Sequence, residues 1–311
     1  MKGVNGKTMD YILQTKNLSK NYGKAHVLNA VNMNIPKGSI YGFVGKNGAG
    51  KTTLIRVICG LHNPTAGSYS INGAPSSSAD ATAFRKKMGA VVETPSIYLQ
   101  QNARNNLLLQ YKLIGKSPDG LNDILHTVGL DNVGKKKVKN FSLGMRQRLA
   151  IAFALVNDPE FLVLDEPING LDAQGIIEVR ELLQKLNRER NVTILISSHI
   201  LEELSKLATH YGFIDKGHML REMSAEDLEN ASRKSTKITV NDTQILDGVL
   251  NEMGLEHKII SSSEAVIFSN FKVTPLVLAL NDKNCEVVSL SENTESLESF
   301  FVELVGGNEN A

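Results

Sequence analysis

The sequence predicts an α/β fold on a mostly parallel sheet from Tyr11 to about Leu220, followed by a smaller α+β region. Short apolar strands alternate with longer helical segments through most of the chain, the pattern of a sheet covered by helices. Phe161-Leu162-Val163-Leu164 and Val192-Thr193-Ile194-Leu195-Ile196 are continuous apolar runs, as expected of central parallel strands buried on both faces. After Glu222 the texture changes to shorter, more polar elements, which predicts a separate unit.

In chain order, Ser39 to Val44 reads as a buried strand, followed by a glycine-rich turn and a helix from Lys51 to Cys59. Gly89 to Val92 reads as a further strand. Between Ser96 and Val156 strands give way to amphipathic helical patterns, which predicts a helical subdomain inserted into the sheet domain. The strand from Phe161 and the strand from Val192 then resume the sheet. Ser224 to Leu228 opens a short capped helix, and Asn230 to Ser235 reads as a linker. Beyond it come strand (Lys237 to Val240), helix (Gln244 to Met253), strand (His257 to Ile260), strand (Ala265 to Phe268), helix (Thr274 to Leu280), strand (Glu286 to Leu290) and helix (Leu297 to Val305). The order β-α-β-β-α-β resembles the ferredoxin-like split motif. The expected division is a sheet domain over residues 11–222, a linker over 223–235 and an accessory domain over 236–311.

Composition excludes several classes. Hydrophobic residues at 41% and charged residues at 22% are the balance of an ordinary globular protein. Lys and Arg (34) nearly cancel Asp and Glu (33), so there is no general basic footprint and nucleic acid is not an expected partner. Cys59 and Cys285 are too few and too far apart for a disulfide framework or a metal cluster. The start, Met1-Lys2-Gly3-Val4-Asn5-Gly6, is too polar for a secretory signal. No stretch approaches the ~20 apolar residues that cross a bilayer. Any membrane role is therefore expected to come through a partner.

The strongest chemical signal is Gly45-Lys46-Asn47-Gly48-Ala49-Gly50-Lys51-Thr52, which fits the pattern G-x-x-x-x-G-K-[ST]. Gly48 and Gly50 let the backbone curl so that successive N–H groups face phosphate oxygens. The helix beginning at Lys51 adds its positive end. The Lys51 ammonium reaches for the β- and γ-phosphates, and the Thr52 hydroxyl for Mg²⁺. An apolar strand before the loop and a helix after it supply the context this motif needs. A second element, Phe161 to Glu166, delivers two carboxylates at the C-terminal end of a buried strand, where open parallel sheets bind ligands. Asp165 is placed to hold Mg²⁺ directly or through water, and Glu166 to polarise an attacking water.

Phe141-Ser142-Leu143-Gly144-Met145-Arg146-Gln147-Arg148 resembles the L-S-G-G-Q signature and downstream Q-R of ABC ATPases. Ser142, Gly144, Gln147 and Arg148 match; Phe141, Leu143 and Met145 depart. The resemblance runs from about Tyr11 to Leu220 and implies a P-loop NTPase fold of the ABC ATPase kind, with antiparallel β and helical subdomains. It implies ATP hydrolysis, with Gly45, Asn47, Gly48, Ala49, Gly50, Lys51, Thr52 and Thr53 binding ATP. It also implies that Ser142 and Gly144 contact the γ-phosphate held by an opposite subunit, a second ATPase in a head-to-tail sandwich. Asn169-Gly170-Leu171-Asp172 resembles the D-loop, whose Asp172 links the two sites. His199 resembles the switch histidine that senses the γ-phosphate, and Tyr22 the aromatic that stacks on adenine.

Most ABC ATPases carry glutamine after the strand that corresponds to Gly89 to Val92, touching Mg²⁺ and facing the permease. Here the residue is Glu93, so the resemblance implies nucleotide and metal contact by a carboxylate instead of an amide. Glu93-Thr94-Pro95-Ser96, with the Ser-Leu-Gly-Met form of the signature, resembles the bacitracin- and lantibiotic-resistance subgroup of exporters. That implies a separate integral-membrane permease and a peripheral position on the cytoplasmic face of the membrane. Open alternatives are an ATPase for another efflux or import substrate, and a non-transport ABC ATPase acting on ribosomes or DNA. The single cassette and the absence of sustained heptads weigh against the latter. The Lys135-Lys136-Lys137 run reads as a solvated helix terminus.

Overall fold

The computed structural model describes residues 10–93, 96–231, 234–269, 271–294 and 297–307. Met1 to Gly6, Thr94, Pro95, Ser232 and Arg233, all used in the sequence reading, lie outside the described residues. The chain divides into two compact units, Met1–Ala225 and Glu226–Ala311.

In the first unit, β1 (Tyr11–Tyr22) and β2 (Ala25–Pro36) form an antiparallel hairpin with Tyr22 opposite Ala25. β3 (Ile40–Val44) is buried at every residue and runs through the phosphate-binding sequence into α1 (Lys51–Ile58). β4 (Ala66–Ile71) and β5 (Ala74–Pro75) complete a four-stranded antiparallel sheet in the order β2-β1-β4-β5. α2 (Ala79–Arg85), capped by Ser78, leads to β6 (Gly89–Val91). The expected helical subdomain is α3 (Ala103–Leu113), α4 (Leu121–Thr127) and α5 (Leu143–Leu155). There follow β7 (Phe161–Asp165), α6 (Ala173–Arg190), β8 (Thr193–Ser198), α7 (Leu201–Ser205), β9 (His210–Asp215) and β10 (His218–Ser224).

The second sheet has six strands in the order β10-β9-β3-β8-β7-β6. All neighbours from β9 to β6 are parallel, and β10 closes the far edge antiparallel to β9. Register decides what this sheet can do. Val44 lies level with Ser198, Asp165 with Ser197, and Val91 with Leu164. The C-terminal ends of β3, β8, β7 and β6 therefore open along one edge, each followed by a loop.

α1 packs against both β2 and β7. Its Leu54, Ile55, Val57 and Ile58 are fully buried, joining a core that includes Leu28, Val31 and Met33 of β2 and Phe161 and Val163 of β7. Each such side chain contributes about 1.5–3 kcal/mol on burial. This anchorage holds the helix whose first residues carry the candidate site.

A polar clamp ties the antiparallel strand β2 to the six-stranded sheet. The Glu222 carboxylate of β10 accepts hydrogen bonds from the Asn34 backbone N–H (2.7 Å), the Asn34 side-chain amide (3.1 Å) and the Tyr41 hydroxyl (2.6 Å). Burial pushes the Glu222 carboxyl above its ordinary 4.5, against the pull of those three donors. The folded state thus binds the Glu222 proton more tightly than the unfolded chain, and stability is lost as pH rises through the raised value. Two outcomes are expected in urea titrations. Glu222→Ala, which strands the buried Tyr41 hydroxyl, should cost about 2–4 kcal/mol. Glu222→Gln should remove this component of pH dependence, so that wild type loses ground to it between acid and neutral pH.

The boundary at Ala225 coincides with the start of α8 (Ala225–Ala231). β11 (Lys234–Val240) opens inside the stretch read as a linker, because Lys234 and Ser235 already pair with Thr294 and Asn293. α9 (Thr243–Glu252), β12 (His257–Ile259), β13 (Glu264–Ile267), α10 (Val273–Asp282), β14 (Val287–Thr294) and α11 (Leu297–Gly307) follow. The sheet is antiparallel in the order β12-β13-β11-β14, the ferredoxin-like arrangement. Ile238, Val240, Ala265 and Ile267 of the strands bury against Leu246, Val249, Leu250, Leu276 and Leu280 of α9 and α10. Among the described residues no helix is long and apolar enough to cross a membrane.

Candidate nucleotide site

The loop from β3 to α1 is a cradle of backbone N–H groups. Gly48 and Gly50 have φ of 81° and 109°, and the Ala49 N–H donates to the Lys46 carbonyl across the turn (3.1 Å). Gly50 is the N-cap of α1, and no side chain caps that end. A Cβ at Gly50 would stand 2.8 Å from Leu28 Cδ2 and 2.9 Å from the Val27 carbonyl, so only glycine fits both the space and the left-handed backbone. The helix therefore presents orphan donors, the natural seat of a phosphate.

Lys51, only 5% exposed, spans the mouth of the loop. Its ammonium donates to the carbonyls of Gly45 (2.6 Å) and Lys46 (3.3 Å) and lies 3.2 Å from Glu166 Oε1. The other Glu166 oxygen meets His199 Nδ1 at 2.8 Å. Strand order explains the meeting: β8, which ends in Ser198, lies between β3 and β7. Glu166 itself is in the left-handed region (φ 50°), a strained turn off the end of β7. Its N–H is held by both the hydroxyl (2.9 Å) and the carbonyl (3.2 Å) of Ser197. Asp165, 8% exposed, accepts from the Ser197 hydroxyl at 2.5 Å.

Glu93 follows β6 with φ 60°, and its carboxylate pairs with Arg56 of α1 while its side chain stays 60% exposed. The fold thus brings Glu93 to the same sheet edge, where its carboxylate meets a guanidinium on the helix that follows the phosphate loop. Tyr22, at the tip of the hairpin and 42% exposed, lies edge-on to His62 with ring centroids 5.8 Å apart and has the Lys20 ammonium 5.0 Å from its ring centre. Asn47 is exposed on the loop, and Thr52 and Thr53 are partly exposed in the first turn of α1.

Ser142, Gly144 and Asp172 form a second group. The Ser142 hydroxyl caps α5 through the Met145 N–H (3.2 Å), and Asp172 caps α6 through the Gly175 N–H (3.0 Å). The two helix starts touch: a Cβ on Gly144 would be 3.4 Å from Gly175 Cα. Arg148, next in the signature helix, binds the Val128 and Gly129 carbonyls and pairs with Glu178 at 3.1 Å.

Cys59, at the end of α1, has its thiol pushed up to about 12 by burial and by the Asp165 charge, with Arg85 opposing. It stays a protonated structural thiol, unsuited to nucleophilic work. Ser197 is the participant that sequence reasoning missed. Its partners lie 31 and 32 residues away, at the end of β7 and just beyond it.

A buried ammonium, an uncapped glycine-led helix and paired carboxylates at the end of a parallel strand define a P-loop nucleoside triphosphatase. Residues 28–169 match the family described as ABC transporter. The bacitracin transport ATP-binding protein BcrA of Bacillus licheniformis is 39% identical over 96% of this chain and 99% of its own length. The lantibiotic transport ATP-binding protein SrtF of Streptococcus pyogenes is 44% identical over 70% of this chain and 93% of its own. Among solved structures, the dimeric post-hydrolysis state of the ATP-binding cassette MJ0796 bound to ADP and Pi superposes with a TM-score of 0.60. It is 26% identical and covers 68% of this chain and 98% of that one. The chain belongs to the ATP-binding subunits of ABC transporters, and it is an ATPase.

Proposed function

We propose that this subunit energises export of membrane-active antimicrobial peptides such as bacitracin or lantibiotics. It does so from the cytoplasmic face of the membrane, docked on a separate integral-membrane permease. The observation that carries the reading is the alignment with the bacitracin transport protein, which runs through both units and not only through the cassette. The Glu93 form of the loop after β6 and the Ser142-Leu143-Gly144-Met145 form of the signature support the same subgroup.

The residues fit Mg-ATP. Among the described residues no group of three or more His, Cys, Asp or Glu could hold a metal. The oxygens of Thr52 and Asp165 suit a hard cation that takes its remaining ligands from phosphates and water. Thr52 and Asp165 would hold Mg²⁺, and the ion would supply positive charge to the phosphate oxygens; the Glu93 carboxylate is paired with Arg56. Lys51 exchanges its loop carbonyls and Glu166 for the β- and γ-phosphates and neutralises charge on the transferring group. Glu166, freed of Lys51, takes the proton of the attacking water, while His199 holds its other oxygen. Ser142, Gly144 and Asp172 belong to the half-site offered to a second ATPase subunit, the same chain or a sister, in a head-to-tail pair.

The test is a deletion strain complemented with a tagged copy. Wild type should restore growth in bacitracin or a lantibiotic, and a polytopic permease should co-purify from gently solubilised membranes. Permease capture without any change in peptide tolerance would keep a transporter but remove these substrates. Capture of ribosomes or chromatin instead would overturn the transport reading.

A further inference from the structure

We infer that Ser197 is a positioning residue of the hydrolytic centre, fixing the metal-binding carboxylate and the catalytic peptide through one hydroxyl. The inference rests on the assignment of Asp165 and Glu166 as the metal-binding and water-activating acids. Ser197 lies on β8, fully buried, directly opposite Asp165 in the parallel register. The direction of each of its bonds is forced. An ionised carboxylate only accepts, so the hydroxyl proton goes to Asp165 Oδ1 (2.5 Å). A backbone N–H only donates, so the Glu166 N–H points at the hydroxyl oxygen (2.9 Å). The single rotor of Ser197 therefore has its proton and one lone pair committed to two consecutive residues of the site.

Two consequences follow. Asp165 is held by one oxygen in a single orientation, leaving the other oxygen for the cation. Glu166, in a left-handed conformation that a residue with a Cβ adopts only under constraint, receives a side-chain acceptor on the N–H that sets where its own side chain leaves the strand. Outer partners of metal ligands typically change metal affinity or activity by about 10–100-fold when removed. Ala at position 197 keeps the strand and the bond from the Glu166 N–H to the Ser197 carbonyl (3.2 Å), and deletes both hydroxyl bonds. Thr keeps the hydroxyl and adds one methyl group.

The experiment uses the full chain. Mn²⁺ affinity in the presence of ADP is read by electron paramagnetic resonance, and affinity for a fluorescent ADP is read separately in EDTA. Ser197→Ala should weaken Mn²⁺ and lower kcat by about 10–100-fold while leaving the metal-free ADP affinity unchanged. Ser197→Thr should restore Mn²⁺ affinity. Wild-type Mn²⁺ affinity and kcat in the Ala variant would overturn the inference. So would a parallel loss of metal-free ADP affinity, the mark of a merely structural role, or a Thr variant that melts with wild type yet fails to recover Mn²⁺. Wild type that binds neither ADP nor Mn²⁺ would overturn the site assignment itself.

Discussion

Lys51→Ala is expected to lower ATP turnover at least about 10³-fold, the scale on which removing a preorganised charge from a phosphoryl-transfer site acts. The side chain is buried, and among the described residues its ammonium meets the Gly45 and Lys46 carbonyls and Glu166, which hold it at the phosphate loop. Phosphate release measured at saturating ATP gives the rate, and thermal melting gives the control. The variant should remain folded, because α1 is held by Leu54, Ile55, Val57 and Ile58 and not by its first residue. Its Glu166 keeps His199 as a partner at 2.8 Å. Turnover close to wild type would mean that this loop is not where the phosphoryl group is transferred.

Glu166→Gln separates binding from chemistry. Both carboxylate oxygens are engaged, one by Lys51 and one by His199. The amide keeps the volume and one acceptor but has no basicity for a water proton. Hydrolysis should fall by about 10²–10⁴-fold, the usual contribution of a positioned general base. ATP binding should persist, since the loop, Lys51 and Thr52 are untouched. With hydrolysis blocked, an ATP-loaded pair should accumulate, visible as a doubling of mass by light scattering on size exclusion. A monomer under saturating Mg-ATP would contradict the head-to-tail arrangement, and rapid hydrolysis would move the base elsewhere.

The two outcomes also separate kinds of information. The phosphate loop was legible because its function is written in consecutive residues: Gly48 and Gly50 at turns of positive φ, then Lys51 and Thr52 on the first turn of a helix. Asp165 and Glu166 were legible for the same reason, at the end of an unbroken apolar strand. The second unit was legible from alternation and length, with its first strand starting three residues before the Lys237 expected from sequence because pairing with β14 extends it.

Other features could not be read. Glu93 carries its identity in the sequence, but its pairing with Arg56 depends on how β6 approaches α1. Tyr41, read only as a strand residue, turns out to share Glu222 with Asn34 across two sheets. Ser197 sits two residues before His199 with nothing local to distinguish it from its neighbour Ser198.

By itself the sequence determined the phosphate-binding turn, the helix that follows it, the acids at the end of β7 and the division into two units. These depend on near neighbours: glycine's access to positive φ, the register of apolar runs, the spacing of a loop. Only the tertiary structure decided that Lys51, Glu166, His199 and Ser197 form one cluster. That cluster exists because β8 is inserted between β3 and β7 with Val44 level with Ser198 and Asp165 level with Ser197. Strand order and register are set by the burial of whole faces against α1 and the helices, a sum over residues far apart in the chain that no local pattern records.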